Sequence, residues 1–201
     1  MNKRILSIIT AVALTLYAGA VSAQQLSLSQ ISSYLNQLQT AQGGFTQINA
    51  DGTISTGQIY IKRPGRIRFE YNAPSESLVL ASGGQLAIFD ARSNTGPERY
   101  PLNQTPLSII LRENVDLSRE NMVTNVVSDG TTTTVTAQDP DNPNYGSIQL
   151  VFTANPVELR QWIVTDDLGT ETTVILNDLI SGSVIRDILF NIRAETRDRG
   201  N

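Results

Sequence analysis

The feature that most constrains the fold is a series of short β-strand-like runs separated by turn residues. Aliphatic, aromatic and Thr residues alternate with polar ones in runs of six to nine residues, and Asp51-Gly52, Pro64-Gly65 and Gly83-Gly84 separate several of the first runs. Runs spaced this closely are typical of antiparallel hairpins. The predicted strands are 45–50, 54–62, 66–71, 76–81, 85–90, 122–127, 131–138, 147–153, 158–165 and 170–177.

Three segments depart from this strand pattern. Apolar residues in 27–41 recur at helical spacing, a serine is placed to cap them, and Gly43-Gly44 is expected to end the helix. The short apolar segment 106–111 is predicted to be a second helix. Residues 183–201 are predicted to form a helical turn and a last strand.

About ten strands in one sheet predict a barrel or a strongly curved sheet, because open sheets of that size curl. A curved sheet has a concave side that must be filled. The helices at 27–41 and 106–111 are the segments available to fill it. They act either as a permanent plug or as a movable lid.

The first 23 residues have the pattern of a secretory signal peptide. Two positive charges precede an apolar run at 5–16, and small residues follow at 21–23. This pattern predicts cleavage after Ala23, since the apolar run is too short to span a membrane. The alternative is a permanent N-terminal anchor. Residues 24–201 are then expected to form a single domain.

Charge and cysteine content narrow the classes of partner. Residues 24–201 carry 13 basic and 19 acidic residues and no basic run, which argues against a nucleic-acid partner. The chain has no Cys, so it lacks the residue that carries the lipid of a bacterial lipoprotein. We therefore expect an exported protein without a lipid anchor of its own.

The side chains that most enzymes need are missing. Without His or Cys, neither a Ser-His-Asp triad nor a Cys nucleophile can form, and Lys62 is the single lysine after residue 23. Ser181-Gly182-Ser183 lacks the pattern of a nucleophile elbow. The acidic loop 139–144 resembles a calcium loop but has Pro143 and Leu150 where ligands belong. The sequence predicts no enzyme, no cofactor and no metal.

The run Lys62-Arg63-Pro64-Gly65-Arg66-Ile67-Arg68-Phe69-Glu70-Tyr71 is the most distinctive motif. By itself Arg63 is a turn-flanking cation of the kind found in water. The run nevertheless resembles the signature of the periplasmic outer-membrane lipoprotein carrier family known as LolA. The resemblance covers about residues 26–195, and four further segments match at family spacing: Gly44-Phe45-Thr46-Gln47, 57–60, 74–77 and 105–111.

The resemblance implies a mainly β fold with a helical lid, of the α+β class. It is an incomplete, strongly curved antiparallel β-barrel of about ten to eleven strands, covered by two or three short helices. The implied function is a monomeric periplasmic carrier in a Gram-negative bacterium. Its cargo is acylated lipoproteins, received from an inner-membrane lipoprotein-releasing ABC transporter and passed to an outer-membrane receptor where one exists.

The family's functional residues map onto this chain. The arginine matching Arg63 fastens the lid by bonding main-chain carbonyls, at positions that match Leu35, Ile110 and Leu111. A planar guanidinium with five donors suits carbonyls at helix ends, which lack intrahelical partners. The expected acyl-cavity lining is Ile67, Phe69, Tyr71, Leu78, Leu80, Leu86, Ile88, Phe89, Leu107 and Ile110. Ordinary core packing is the alternative for each of them.

The sequence departs from the family in three places. The family often has Trp where Phe69 stands and a bulky residue where Ser108 stands, so cargo preference can differ. The tail after Phe190 follows the family only loosely. Two other functions stay open: a periplasmic lipid-binding or sensor protein of the same fold without transfer activity, and a lipid-processing enzyme.

Overall fold

A computed structural model describes residues 25–93, 95–118 and 121–199. The predicted signal peptide, 1–23, lies outside the described residues. The helices are α1 (Leu28–Gln37), α2 (Leu107–Leu111) and α3 (Ile192–Asp198), with short 3₁₀ turns at Leu102–Gln104, Pro143–Tyr145 and Asp187–Phe190. The strands are β1 (Thr40–Ile48), β2 (Ile54–Lys62), β3 (Arg66–Tyr71), β4 (Leu78–Ser82), β5 (Gln85–Phe89), β6 (Glu98–Pro101), β7 (Val123–Ser128), β8 (Thr132–Gln138), β9 (Ser147–Ala154), β10 (Val157–Thr165) and β11 (Glu171–Ser181).

The strands form one antiparallel sheet of 11 strands. Their order is β6-β5-β4-β3-β2-β1-β11-β10-β9-β8-β7, so two meanders are joined where the first strand pairs with the last. Within each meander, consecutive strands are joined by hairpins, so neighbours in sequence are neighbours in the sheet; β6 and β7 are the exception. The sheet curves but is open, with β6 and β7 at its edges. This architecture confirms the predicted incomplete barrel with short helices.

The first helix begins with a capping box. The Gln30 amide donates to the Ser27 hydroxyl at 3.2 Å, and the Ser27 amide donates to the Gln30 side chain at 2.9 Å. These two bonds satisfy donors that the start of a helix leaves free. The predicted serine cap is therefore Ser27. Across the described ranges, every helix is too short or too polar to cross a membrane.

The glycine pair 43–44 lies inside β1 instead of ending α1. A Cβ on Gly43 would lie 2.8 Å from the Asn177 carbonyl oxygen and 2.9 Å from that of Asp178. The pairing of β1 with β11 also shifts register between Gln42 and Gly44. The glycines allow this close approach, so the helix ends earlier than predicted, at Gln37.

Two other differences concern the sheet edge and the C-terminus. Strand β6 was not predicted, because all four of its residues are exposed and it shows no alternation of burial. No strand follows β11 in the part described, up to residue 199; a 3₁₀ turn and α3 follow instead. Asn191 caps α3 by accepting the Ala194 amide at 3.0 Å. This segment packs its apolar side chains onto the sheet instead of pairing with its edge.

The sheet carries a core on each face. The larger core lies on the concave face and includes α1, α2 and the aromatic residues of the central strands. The smaller cluster lies on the convex face, where the C-terminal segment covers β4 and β5. It contains Leu78, Leu80, Ala87, Phe89, Ile185, Phe190 and Ile192.

Candidate functional site

The concave wall is built from inward-facing residues of the central strands. Phe45 contacts Phe69 edge to face at 5.3 Å between ring centroids, and Phe69 contacts Trp162 at 6.2 Å. Gly57 faces the same side, and a Cβ there would lie 2.7 Å from the Phe45 ring. The missing side chain leaves room for that ring. The result is an aromatic floor across β1, β3 and β10.

Two segments cover this floor, and we call them the lid: residues 26–38, with α1, and residues 102–117, with α2. Leu35 from α1 and Ile109 and Ile110 from α2 are almost fully buried against the wall. Lid and wall form a single apolar cluster. In this structure the lid side chains therefore fill much of the hollow themselves.

Side chains of α1 bind the second lid segment. Asn36 pairs with the backbone of Val115 through two hydrogen bonds of 2.9 Å, one in each direction. The Ser32 hydroxyl accepts the Leu117 amide at 3.0 Å. These bonds join the two segments independently of the sheet.

Arg63 connects the sheet to both lid segments. It stands at the end of β2 and is only 5% exposed. Its Nη1 donates to the Leu35 carbonyl, and its Nε donates to the Arg112 carbonyl at 3.1 Å, with a second bond to that carbonyl from Nη2. Nη2 also lies 3.5 Å from Asn36 Oδ1. Burial lowers the pKa of the guanidinium, which still carries its charge at neutral pH.

The acceptors on the second lid segment differ from the prediction. The carbonyl that receives Arg63 is that of Arg112, instead of those of Ile110 and Leu111. The Leu111 carbonyl accepts the Gly65 amide at 2.8 Å. Helix α2 ends at Leu111, so its final carbonyls are available. The Gly65 amide, in the turn after β2, donates to the Leu111 carbonyl. The Arg63 guanidinium therefore donates to the next carbonyl along the chain, that of Arg112.

A pocket of about 860 Å³ remains open at one end of the hollow. On one side it is lined by Leu86 and Ile88 of β5 and Leu107 at the start of α2. Val164 of β10 and Leu168 of the following turn line the other side. Its volume is in the range of ligand-binding sites. Three residues predicted to line the cavity therefore lie around one pocket.

The other predicted lining residues divide between the two faces. Ile67, Phe69 and Ile110 are buried in the concave core, and Tyr71 packs against it. Leu78, Leu80 and Phe89 belong to the convex cluster instead. The prediction took the apolar residues of β4 and β5 together, although successive side chains of a strand point to opposite faces. These three residues cannot line a concave cavity in this fold.

Sequence reasoning missed several residues of the site. Trp162 and Val164 stand two positions apart on β10, a spacing that places them on the same face and could have indicated a wall. Asn36 and the Arg112 carbonyl had no such signal, because one member of each bond is a backbone group, which any residue supplies.

The buried wall contains a neutral polar side chain, Tyr71, which packs against the concave core. The Tyr71 hydroxyl donates to Gln47 Oε1 at 2.7 Å, and burial raises the pKa of Tyr71 to about 12. Tyr71 is therefore un-ionised at neutral pH. Within the described ranges, no group of three or more His, Cys, Asp or Glu residues is arranged to hold a metal ion. The floor therefore offers apolar contact under a polar fastening, whereas the open pocket also has Asp166 and Asp167 in its lining.

An open barrel with an apolar concave face and a hydrogen-bonded helical lid defines a class of proteins that shelter apolar groups from water. The family comparison is specific: residues 36–193 match the family described as outer membrane lipoprotein carrier protein LolA, and the chain belongs to that family.

Individual relatives are distant. An outer-membrane lipoprotein carrier protein of Coxiella burnetii is 25% identical over 185 residues, covering 88% of this chain and 87% of the relative. One of Cupriavidus taiwanensis is 31% identical over 137 residues, covering 62% of this chain and 64% of the relative. Among solved structures, a LolA superfamily protein from Nitrosomonas europaea aligns with a TM-score of 0.45 and 14% identity, covering 83% and 98% of the two chains.

Proposed function

We propose that the protein is a periplasmic lipoprotein carrier. After removal of residues 1–23, residues 24–201 act as a single carrier domain. It receives acylated lipoproteins from an inner-membrane ABC transporter, shelters their acyl chains in the hollow, and delivers them to the outer membrane or to a receptor there.

The observation that carries this proposal is the fastening of the lid over an apolar floor. Arg63 holds both lid segments at once, through the Leu35 and Arg112 carbonyls. A permanent plug would need only apolar packing. A fastening made of a few hydrogen bonds can be released without disturbing the sheet, whose ladders lie elsewhere. The open pocket beside Leu107 supplies an entry next to the lid.

The energetics favour a lid that competes with the cargo. Each buried methylene is worth about 0.8 kcal/mol, so a multiply acylated anchor crossing water bare would cost on the order of tens of kcal/mol. A hollow that captured this entire free energy would not release its cargo. When the lid closes, Leu35, Ile109 and Ile110 regain their own contacts with the wall. That gain offsets part of the cargo affinity and allows transfer.

Binding is tested with a fluorescent acyl probe and a triacylated lipopeptide as competitor. The probe should bind, and the lipopeptide should displace it. Ile88→Glu should weaken probe binding, because it places a carboxylate in the pocket wall. Ile180→Glu is the matched control, since Ile180 is 61% exposed and does not line the pocket. Absence of probe binding, or equal weakening by both variants, would contradict the proposed site.

Transfer is tested by loading the protein with an acylated lipoprotein and counting the cargo moved to acceptor membranes. Arg63→Leu should accumulate loaded protein, because the weakened lid no longer competes for the hollow. Arg160→Leu is the matched control: Arg160 is an exposed strand residue that pairs only with Glu158 in the contacts described. Probe binding without any transfer would favour the lipid-binding or sensor alternative.

A further inference from the structure

The basic residues of this acidic protein are concentrated on one surface. Eight of the 13 basic residues after residue 23, but only four of the 19 acidic ones, lie on the C-terminal segment 183–199 or on the convex strand positions beside it. We call this surface the basic face. Its cations are Lys62, Arg66, Arg68, Arg99, Arg186, Arg193, Arg197 and Arg199, and its acids are Glu70, Asp187, Glu195 and Asp198.

The acids neutralise only some of these cations. Arg68 is buried between Glu70 and Glu195, at 2.6 and 2.7 Å. Asp187 accepts from Lys62 at 2.6 Å and from Arg66 at 2.8 Å. The two remaining ion pairs join Arg197 to Asp198 and Arg199 to Glu195.

Three arginines of the basic face have no carboxylate partner among the described residues. They are Arg99, Arg186 and Arg193. Arg99 donates to the Thr196 hydroxyl at 3.3 Å, a neutral acceptor. These three guanidinium groups are free of a carboxylate partner in the part of the chain that the structure describes and are therefore available to an external anion.

Two of these free arginines line a common pocket. The pocket has a volume of about 620 Å³ and is lined by Arg66, Arg99 and Arg193, with Ser82, Gly83, Gln85, Asp187, Phe190, Asn191 and Ile192. Three guanidinium groups around one pocket can bind a phosphate group, because each is planar and can donate two hydrogen bonds to its oxygens. The single carboxylate, Asp187, is already engaged by Lys62 and Arg66, which hold its pKa below the ordinary value.

Exposed aliphatic side chains flank the same surface. Val184 is 99% exposed and Ile188 is 54% exposed, on either side of the free Arg186. Aliphatic residues alternating with arginine suit the boundary between lipid headgroups and acyl chains. A soluble anion would make no contact that requires the aliphatic side chains. An acidic protein surface would bury only two isolated aliphatic side chains here, which contributes little to binding.

We propose that the basic face is a docking site for a membrane surface rich in anionic phospholipid, with a headgroup phosphate in the pocket lined by Arg66, Arg99 and Arg193. This site is separate from the hollow and does not depend on cargo. Lys62 and Arg66 lie within three residues of Arg63 on the same β2–β3 hairpin. A docked protein therefore presents its lid fastening close to the membrane.

The test is co-sedimentation of purified, cargo-free protein with phosphatidylcholine vesicles, with and without phosphatidylglycerol. Binding should require phosphatidylglycerol and fall with added salt. Removing one cation near an anionic surface weakens binding about five-fold, so Arg99→Gln with Arg193→Gln should weaken it about 30-fold. Asp187→Asn should strengthen binding, because it removes the carboxylate that faces the pocket.

Controls separate this site from general effects of charge. Arg160→Gln removes one cation outside the basic face and should bind vesicles like the wild type. Every variant should keep the wild-type affinity for the acyl probe. Val184→Asp should weaken vesicle binding without changing thermal stability. Equal binding to neutral vesicles, wild-type binding by the double variant, or binding of glycerol phosphate without vesicle binding would overturn the proposal. Loss of cargo transfer with vesicle binding intact would count only against the carrier function.

Discussion

Replacing Arg63 by Leu is the most direct test of how the lid is held. Leucine places an apolar side chain at the buried position and removes every side-chain donor. The Leu35 and Arg112 carbonyls then lose the donor that this side chain supplied. The lid would be held by its apolar contacts and by backbone bonds such as Gly65 to Leu111.

The magnitude follows from the two carbonyls. A buried acceptor left without its partner costs about 1–3 kcal/mol. Leucine also removes the cost of burying the guanidinium, which the lowered pKa of Arg63 reveals. We therefore expect the closed lid to lose about 2 kcal/mol net. That loss raises the population of the open lid about 30-fold.

Amide hydrogen exchange measures this population directly. The Leu26 amide is a suitable reporter, because it donates to the Thr133 hydroxyl across the boundary between lid and sheet and lies far from residue 63 in sequence. Its exchange should be about 30-fold faster in Arg63→Leu. Amides within the β10–β11 ladder should be unchanged.

Two further variants sharpen the result. Arg63→Lys should be intermediate, because an ammonium keeps the charge but cannot reach both carbonyls with a planar fork. Arg160→Leu should match the wild type. If the Leu26 amide exchanges at the wild-type rate in Arg63→Leu, the guanidinium does not hold the lid closed, and the reasoning above fails.

Three other predictions concern the sheet and its convex cover. Gly57→Ala should lower the free energy of unfolding by about 2 kcal/mol in urea denaturation, because its Cβ would lie 2.0 Å from the Glu70 carbonyl oxygen; an unchanged midpoint would contradict this close approach. Glu195→Gln should cost about 2 kcal/mol in the same assay, since it takes one carboxylate from the buried Arg68, and a cost near zero would show that this ion pair is dispensable. Burial raises the pKa of Tyr71 to about 12, so its contribution to stability is complete below pH 10 and is lost as the pH rises through 12. Tyr71→Phe should remove that late phase of alkaline destabilisation, and a wild-type alkaline profile in the variant would refute the assignment.

Much of the fold could be predicted because its information is local. Strand β2, for example, was predicted with its observed bounds from alternation and flanking turns. Helix α1 was predicted from apolar spacing and its serine cap. Strand β6 escaped because its residues are all exposed, and an edge strand without a buried face has no alternation to detect.

The candidate site was predictable in part. The motif around residue 63 indicated both the arginine and a lid, and Leu35 is among the acceptors that the structure shows. The Arg112 acceptor could not be read from sequence. Any residue supplies a backbone carbonyl, so its identity depends only on where helix α2 ends in space.

The sequence by itself determined the number and order of most strands, the two lid helices and the arginine at the end of β2. Periodicity and turn chemistry act over a few residues, and these features need nothing more distant. Only the tertiary structure decided that Leu78, Leu80 and Phe89 face the convex side, and that the C-terminal segment covers them. Alternation separates the two faces of a strand but does not say which face the barrel encloses, because that choice is made by packing between segments more than 90 residues apart.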